Sequence, residues 1–201
     1  MIKAQQFIKK GNKKLPKTTA ILNSGTALEC PSLKLGLCQV GNKCYAMVPE
    51  KMYPNVTPYR ERQREMIRST KPAEFAYSLL AYNDRCRNNK IETFRYNESG
   101  DFEDQKMVSW FARVCQILVG HGITCYGYTA RTDLDLGLLL KYSGLNLSND
   151  KNESSERFPS ANRFKSVKKF TGEADIECGM DCKVCSACSQ SRGLQIEVVV
   201  H

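Results

Sequence analysis

Seven of the ten cysteines in this 201-residue chain fall into two groups at opposite ends of it. Cys178, Cys182, Cys185 and Cys188 lie within eleven residues, CGMDCKVCSAC. Cys30, Cys38 and Cys44 lie in CPSLKLGLCQVGNKCYAM. No hydrophobic core requires four thiols in eleven residues, whereas a metal centre does. Any fold must therefore gather each group, and it decides whether the two make one centre or two.

The length suits one domain and is enough to bury a core without covalent staples. The first residues, Met1-Ile2-Lys3-Ala4-Gln5-Gln6, are basic and polar, and no apolar signal region follows. No run approaches the roughly 18 apolar residues of a membrane span. The expectation is a cytoplasmic protein in a reducing compartment, where clustered cysteines are metal ligands or redox groups rather than disulfides.

The rear spacing is C-x3-C-x2-C-x2-C. Zinc knuckles are usually separated by a dozen or more residues. Here only two residues part Cys182 from Cys185, as in the ferredoxin-type cubane run read backwards. This favours a 4Fe–4S cluster, with zinc as the alternative. The front spacing, C-x7-C-x5-C followed by Tyr45-Ala46-Met47, is looser. Three thiolates can hold a 4Fe–4S cluster and leave one iron open to a substrate or cofactor. Cys86, Cys115 and Cys125 sit among apolar neighbours and are expected in the core.

Strand and helix patterns alternate. Strands are expected at Thr18–Leu22, Thr93–Tyr96, Ile123–Tyr128, Leu145–Leu147 and Leu194–Val200. Helices are expected over 59–69, from Pro72, over 103–119 ending at Gly120 and Gly122, and over 133–141 behind a Thr132/Asp135 capping box. Residues 25–58 read as a long ordered loop and 149–163 as exposed and polar. This pattern predicts an α/β fold with a parallel sheet. Residues 1–17 are expected as a basic N-terminal arm and 18–201 as a single domain, with 170–192 its Cys-rich, metal-binding C-terminal segment.

Working residues of such folds gather at the carboxyl ends of strands. Asp101 is placed there, as an acceptor for a ligand's ammonium or hydroxyl groups or as the N-cap of the helix at 103. Arg131 is also there, either clamping a carboxylate or phosphate or forming a surface salt bridge. His121 and His201 stand without a neighbouring His. No P-loop, G-x-G-x-x-G or G-x-S-x-G motif is present. The net charge of +9 is concentrated in two stretches, Lys3 to Lys17 and Lys151 to Lys169, and makes nucleic acid a candidate partner.

The early cysteines ending in Cys44-Tyr45-Ala46, the Arg95-x4-Gly100-Asp101 turn, the Tyr126-x-Tyr128-Thr129-x-Arg131 strand end and the closing Cys178–Cys188 cluster together resemble the gene-product-88 family of phages and mobile elements. The resemblance spans roughly residues 20–190. More distantly, the arrangement is similar to radical S-adenosylmethionine enzymes, which have a partial (β/α) barrel and a three-Cys loop after the first strand. That resemblance implies a partial barrel-like sheet here. It implies a cluster on Cys30, Cys38 and Cys44 beside Tyr45, and S-adenosylmethionine held near Ser99, Gly100 and Asp101, with Arg131 facing its carboxylate or the substrate. The rear group then resembles an auxiliary cluster. The usual spacing in those enzymes is C-x3-C-x2-C, which this chain has only at Cys178, Cys182 and Cys185.

The resulting expectation is an iron–sulfur protein with one or two 4Fe–4S clusters, of minimal radical S-adenosylmethionine type, in the host cytoplasm if phage-encoded. The alternative is a non-enzymatic, zinc- or cluster-stapled protein that binds nucleic acid or regulates a partner. The sequence gives no substrate and no oligomeric state.

Overall fold

Short apolar segments separated by amphipathic helices can bury their hydrophobic surface only by stacking helices against a sheet. The computed structural model, which describes residues 2–149, 156–190 and 192–199, has that arrangement. Val200, His201 and Lys151 lie outside the described residues.

The strands are β1 (Lys9–Lys10), β2 (Thr19–Leu22), β3 (Thr93–Tyr96), β4 (Thr124–Thr129), β5 (Gly144–Ser148), β6 (Asn162–Val167), β7 (Ile176–Cys178) and β8 (Gln195–Val199). They form one sheet in the order β1-β2-β3-β4-β5-β6-β8-β7. Every pairing is parallel except that of β1 with β2. The sheet is open, with β1 and β7 as its edges. The helices are α1 (Pro31–Lys34), α2 (Met47–Met52), α3 (Val56–Ser69), α4 (Pro72–Arg85), α5 (Gln105–Val119) and α6 (Gly137–Tyr142).

Parallel strands need crossovers, and right-handed crossovers between strands laid down in sequential order stack their helices on one face. The core confirms the placement. Ala20, Leu22, Phe94, Tyr96, Cys125, Leu145 and Leu147 of the strands pack with Met66, Phe75, Leu79, Phe111, Val114 and Leu139 of the helices. Its centre is aromatic: Phe75 meets Trp110 at 5.3 Å and Tyr96 meets Phe111 at 5.2 Å. Gly127 is required here, because a Cβ would run into the Tyr96 ring.

The alternate strand residues, Ile21, Arg95, Tyr126, Tyr128, Asn146 and Asn162, therefore turn to the opposite face. Thr19–Leu22 and Pro72 stand where the sequence predicts, and the α5 pattern holds within two residues. The α5 N-cap is Asp104, which accepts from Met107 N at 2.9 Å, and not Asp101. The helix predicted over 133–141 begins only at Gly137, because the turn before it is occupied by Arg131 pairing with Asp133. The stretch expected to be polar and exposed to residue 163 buries Phe158 and Ala161 and enters β6 at Asn162. The basic stretch before residue 18 lies against the sheet through β1, with Ala4, Ile8 and Leu15 buried.

Candidate functional site

The front cysteines occupy the crossover between β2 and β3, at the carboxyl edge of the sheet. Cys30 precedes Pro31 at the start of α1, and Cys44 precedes α2. Two buried carboxylates hold this segment. Asp101 accepts from Ser32 Oγ (2.5 Å), Thr129 Oγ1 (2.6 Å), Ala130 N (2.8 Å) and Phe102 N (2.8 Å). It thereby ties α1 to the ends of β3 and β4. Glu50 accepts from Ala27 N (2.7 Å) and Leu28 N (3.0 Å) and pairs with Arg60 at 2.5 Å. Breaking such a buried pair from one side costs about 3–5 kcal/mol. The loop also crosses to the far side of the edge, where Gln39 N donates to Asn149 O just past β5 (2.9 Å).

Gly100 is needed for close approach. Its φ is +72°, and a Cβ there would lie 2.7 Å from Gly25 O. Two backbone turns, one after β2 and one after β3, touch at this point. Ser99 N donates to Asn23 Oδ1 (2.9 Å) and Ser99 Oγ to Glu50 (3.3 Å), so Ser99 is part of the same scaffold. Tyr45 lies over the edge with its ring exposed while its hydroxyl turns inward to donate to Glu98 O (2.9 Å). Arg131 is buried and fully engaged, with a bidentate pair to Asp133 and bonds to Phe102 O and Glu103 O.

The rear cysteines reach the open face of the same sheet. Asn146 and Asn162, partners across β5 and β6, are both fully buried. Asn146 Nδ2 donates to Cys188 O (2.8 Å). Asn162 Nδ2 donates to Ala187 O (3.2 Å) and Gln190 O (2.7 Å), and its Oδ1 accepts from Arg192 N and Leu194 N (both 3.2 Å). Gly144 leaves room for this segment, since a Cβ there would meet the Ser189 carbonyl at 2.5 Å. Cys178 is carried on β7.

Electrostatics follow the geometry. Burial pushes the Cys30 thiol up to about 12, helped by the negative charge of Asp101, with Cys38 also acting on it. Burial also raises Cys44, which Cys38 influences in turn. Burial pushes Cys188 up to about 11 against the hydrogen bond from Tyr128, and Cys178, Cys182 and Cys185 all raise it further. Cys38 thus acts on both other front thiols, and Cys178, Cys182 and Cys185 act on Cys188. Thiols held protonated in this way are not activated nucleophiles. A metal would deprotonate them on binding. All ten remain free thiols. Among the described residues, no three Cys, His, Asp or Glu side chains stand in metal-ligand geometry. Cys115 and Cys125 are buried as expected, whereas Cys86 is only half-buried, at the end of α4 beside Tyr82.

Between the groups lie Arg95, Tyr126, Tyr128 and Phe164. The Arg95 guanidinium stacks on Tyr128 (5.0 Å) and Tyr126 (6.0 Å), and Tyr128 meets Phe164 edge-on at 5.2 Å. Burial works against the charge of Arg95, but its surroundings, Tyr128 and Tyr45 first, hold its proton more tightly than usual. Burial pushes Tyr126 up to about 12, against the pull of Arg95. Sequence reading places Arg95 in the strand-end motif without giving it a role, and it misses Glu50, Arg60, Asn146 and Asn162 as site-shaping residues. The one available signal was polarity at alternate positions of apolar strands, as in Leu145-Asn146-Leu147.

No helix among the described residues is long and apolar enough to cross a membrane. Neither a curated protein nor a solved structure matches the chain. A family model described as Gene product 88 matches residues 1–167. The match starts earlier than the resemblance seen in the motifs and ends at the last residue of β6. It takes in Cys30, Cys38, Cys44, Arg95, Asp101 and Arg131, and it stops short of the rear cysteines. By that match, the chain belongs to the gene product 88 family.

Proposed function

We propose that this protein binds iron–sulfur clusters, one on Cys30, Cys38 and Cys44 and a second on Cys178, Cys182, Cys185 and Cys188. The observation that supports the reading is where the backbone places the two cysteine segments: the front one in the crossover from β2 to β3, at the carboxyl edge of the parallel sheet, and Cys188 against the open face of the same sheet, held by Asn146. Ligand sites of α/β folds lie at that edge. A four-iron cluster on three thiolates offers one open iron to a substrate or cofactor. The chain's own residues position the thiols. Asp101 acts through Ser32, Glu50 through Ala27 and Leu28, and the two asparagines through the backbone around Cys188. Cytoplasmic reducing conditions, the host's for a phage-encoded chain, suit the free thiols.

A finer reading makes the sheet a partial barrel and the protein a minimal radical S-adenosylmethionine-type enzyme. The sequential strand order and the position of the Cys30–Cys44 loop directly after the first parallel strand favour it. In this reading Tyr45, Ser99 and Gly100 border the cofactor. Asp101 and Arg131, whose hydrogen bonds are internal, shape the site through the backbone they hold. The alternative of a zinc-stapled, nucleic-acid-binding protein draws support from the net charge of +9.

Anaerobic purification followed by iron, sulfide and zinc analysis decides among these. Two cubane clusters give about eight iron and eight sulfide per chain, and Cys30→Ala and Cys185→Ala each remove about half. Zinc without sulfide refutes the iron–sulfur reading.

A further inference from the structure

Arg95 stands on the open face with its Nε unpartnered and its Nη1 in a loose ion pair with Glu98. β3 places it between Ile21 of β2 and Tyr126 of β4. Its side chain is 12% exposed, and its Nε is buried without a hydrogen-bond partner. Among the described residues the guanidinium makes no hydrogen bond at all. The nearest carboxylate, Glu98, is 3.9 Å from Nη1, beyond hydrogen-bond reach, and already accepts from Asn12 (2.7 Å). The other two buried arginines differ. Arg60 bonds Ala46 O and Glu50, and Arg131 bonds Asp133, Phe102 O and Glu103 O. The Tyr126 and Tyr128 rings satisfy the face of the Arg95 plane but not its N–H edge.

A guanidinium presents five donors in one rigid plane, suited to two oxygens of a carboxylate or phosphate. Buried donors are rarely left without a partner. We propose that Arg95 is the anchor of a small-molecule site on the open face, taking an oxyanion on its N–H edge with the tyrosine rings beside it. Glu98 offsets part of the charge of Arg95, which favours a singly charged carboxylate over a phosphate dianion. Two further buried atoms without partners, Ser24 Oγ and Asn97 Oδ1, lie just past the ends of β2 and β3. The inference is independent of the metal reading. A chain that binds no iron can hold this anion, and a chain that binds two clusters can fail to.

The test is calorimetric titration of the full chain, as isolated, with sodium benzoate and separately with inorganic phosphate. One-site binding near the millimolar range is expected, weakened about tenfold or more by Arg95→Lys, which keeps the charge but loses the fork. Arg113→Gln, on the exposed face of α5, leaves it unchanged. Preference for benzoate assigns a carboxylate ligand, and preference for phosphate assigns a phosphorylated one. In parallel, the Arg95 Nε–H resonance of the unaltered protein should shift as either probe is added, so the result does not depend on the variant folding. No binding of either probe below about 10 mM with a stationary Arg95 resonance overturns the proposal, as does full affinity in a folded Arg95→Lys protein.

Discussion

Replacing Asn162 by Ala should free the rear cysteine segment from the sheet while leaving the sheet intact. The Asn162 side chain makes one short bond, to Gln190 O at 2.7 Å, and four at 3.2 Å, to Ala187 O, Asn146 Oδ1, Arg192 N and Leu194 N. Taking about 1 kcal/mol for the short bond and about 0.5 kcal/mol for each long one gives about 3 kcal/mol. If that loss were global, the melting temperature would fall by about 6–12 °C for a chain of this size. It is expected to be largely local, because the segment can open while β2–β5 stay paired. Amide hydrogen exchange over 187–194 should then accelerate by about a hundredfold, with α5 and β4 unchanged and the melting temperature lowered by less than the global figure. Under the proposed two-cluster reading, iron per chain should also fall by about half as the rear group loosens. Unchanged exchange over 187–194, or equal acceleration throughout the protein, refutes the idea that this asparagine clamps the segment.

Gly127→Ala places a methyl inside the Tyr96 ring and should destabilise by about 1–3 kcal/mol, read from urea denaturation. A stability within about 0.5 kcal/mol of wild type would mean the ring moves freely, contrary to its packing against Phe102 and Phe111. Asp133→Asn removes the bidentate partner of Arg131. The Arg131 hydrogen bond holds the Asp133 carboxyl below its usual range. A depressed folded-state value contributes stability above the unfolded carboxylate range, and that contribution is lost as pH falls through the folded value. With Asp133 about 40% exposed, the wild-type advantage should be about 1 kcal/mol or less at neutral pH, should begin to fall near the unfolded carboxylate value of about 4, and should vanish only as pH drops below the lower folded value, as followed by melting curves across pH. An advantage that persists in acid would assign it to packing instead.

The elements that carry their own periodicity were readable before folding. Met107, Phe111, Val114 and Leu118 mark one face of α5, and all four are buried. β7 and β6 were not readable, because Ile176–Cys178 is too short to show alternation and the apolar residues of Asn162–Val167, Phe164 and Val167, stand three apart and not two. The two cysteine groups announced themselves by spacing alone. What spacing could not give is how the chain holds them. Glu50 and Arg60 are ten residues apart and look like two ordinary surface charges of a polar helical stretch. Only the packing of α2 against α3 makes them a buried pair under the loop. Asp101 sits at the strand end the sequence indicates, yet its lone pairs are filled by groups from two distant segments, Ser32 of α1 and Thr129-Ala130 at the end of β4, besides its neighbour Phe102. The Arg95-x4-Gly100-Asp101 pattern marks the strand end, but that the Arg95 guanidinium lies on the Tyr126 and Tyr128 rings of the next strand shows only in the fold.

From β1 to β6 the strands lie in space in the order in which they occur along the chain. A ribosome therefore delivers each of them next to an edge already waiting to receive it, and the front cysteines can be assembled while the rest is still being made. The last two strands break this rule. β7 is synthesised before β8 but seats outside it, pairing with nothing until β8 has joined β6. Cys178 rides on β7, so its seat in the sheet waits on β8, whereas the backbone around Cys188 can already meet Asn146 and Asn162. The two cysteine groups are thus separated in time as well as in sequence, and the front one emerges and can pack before the rear thiols have been made.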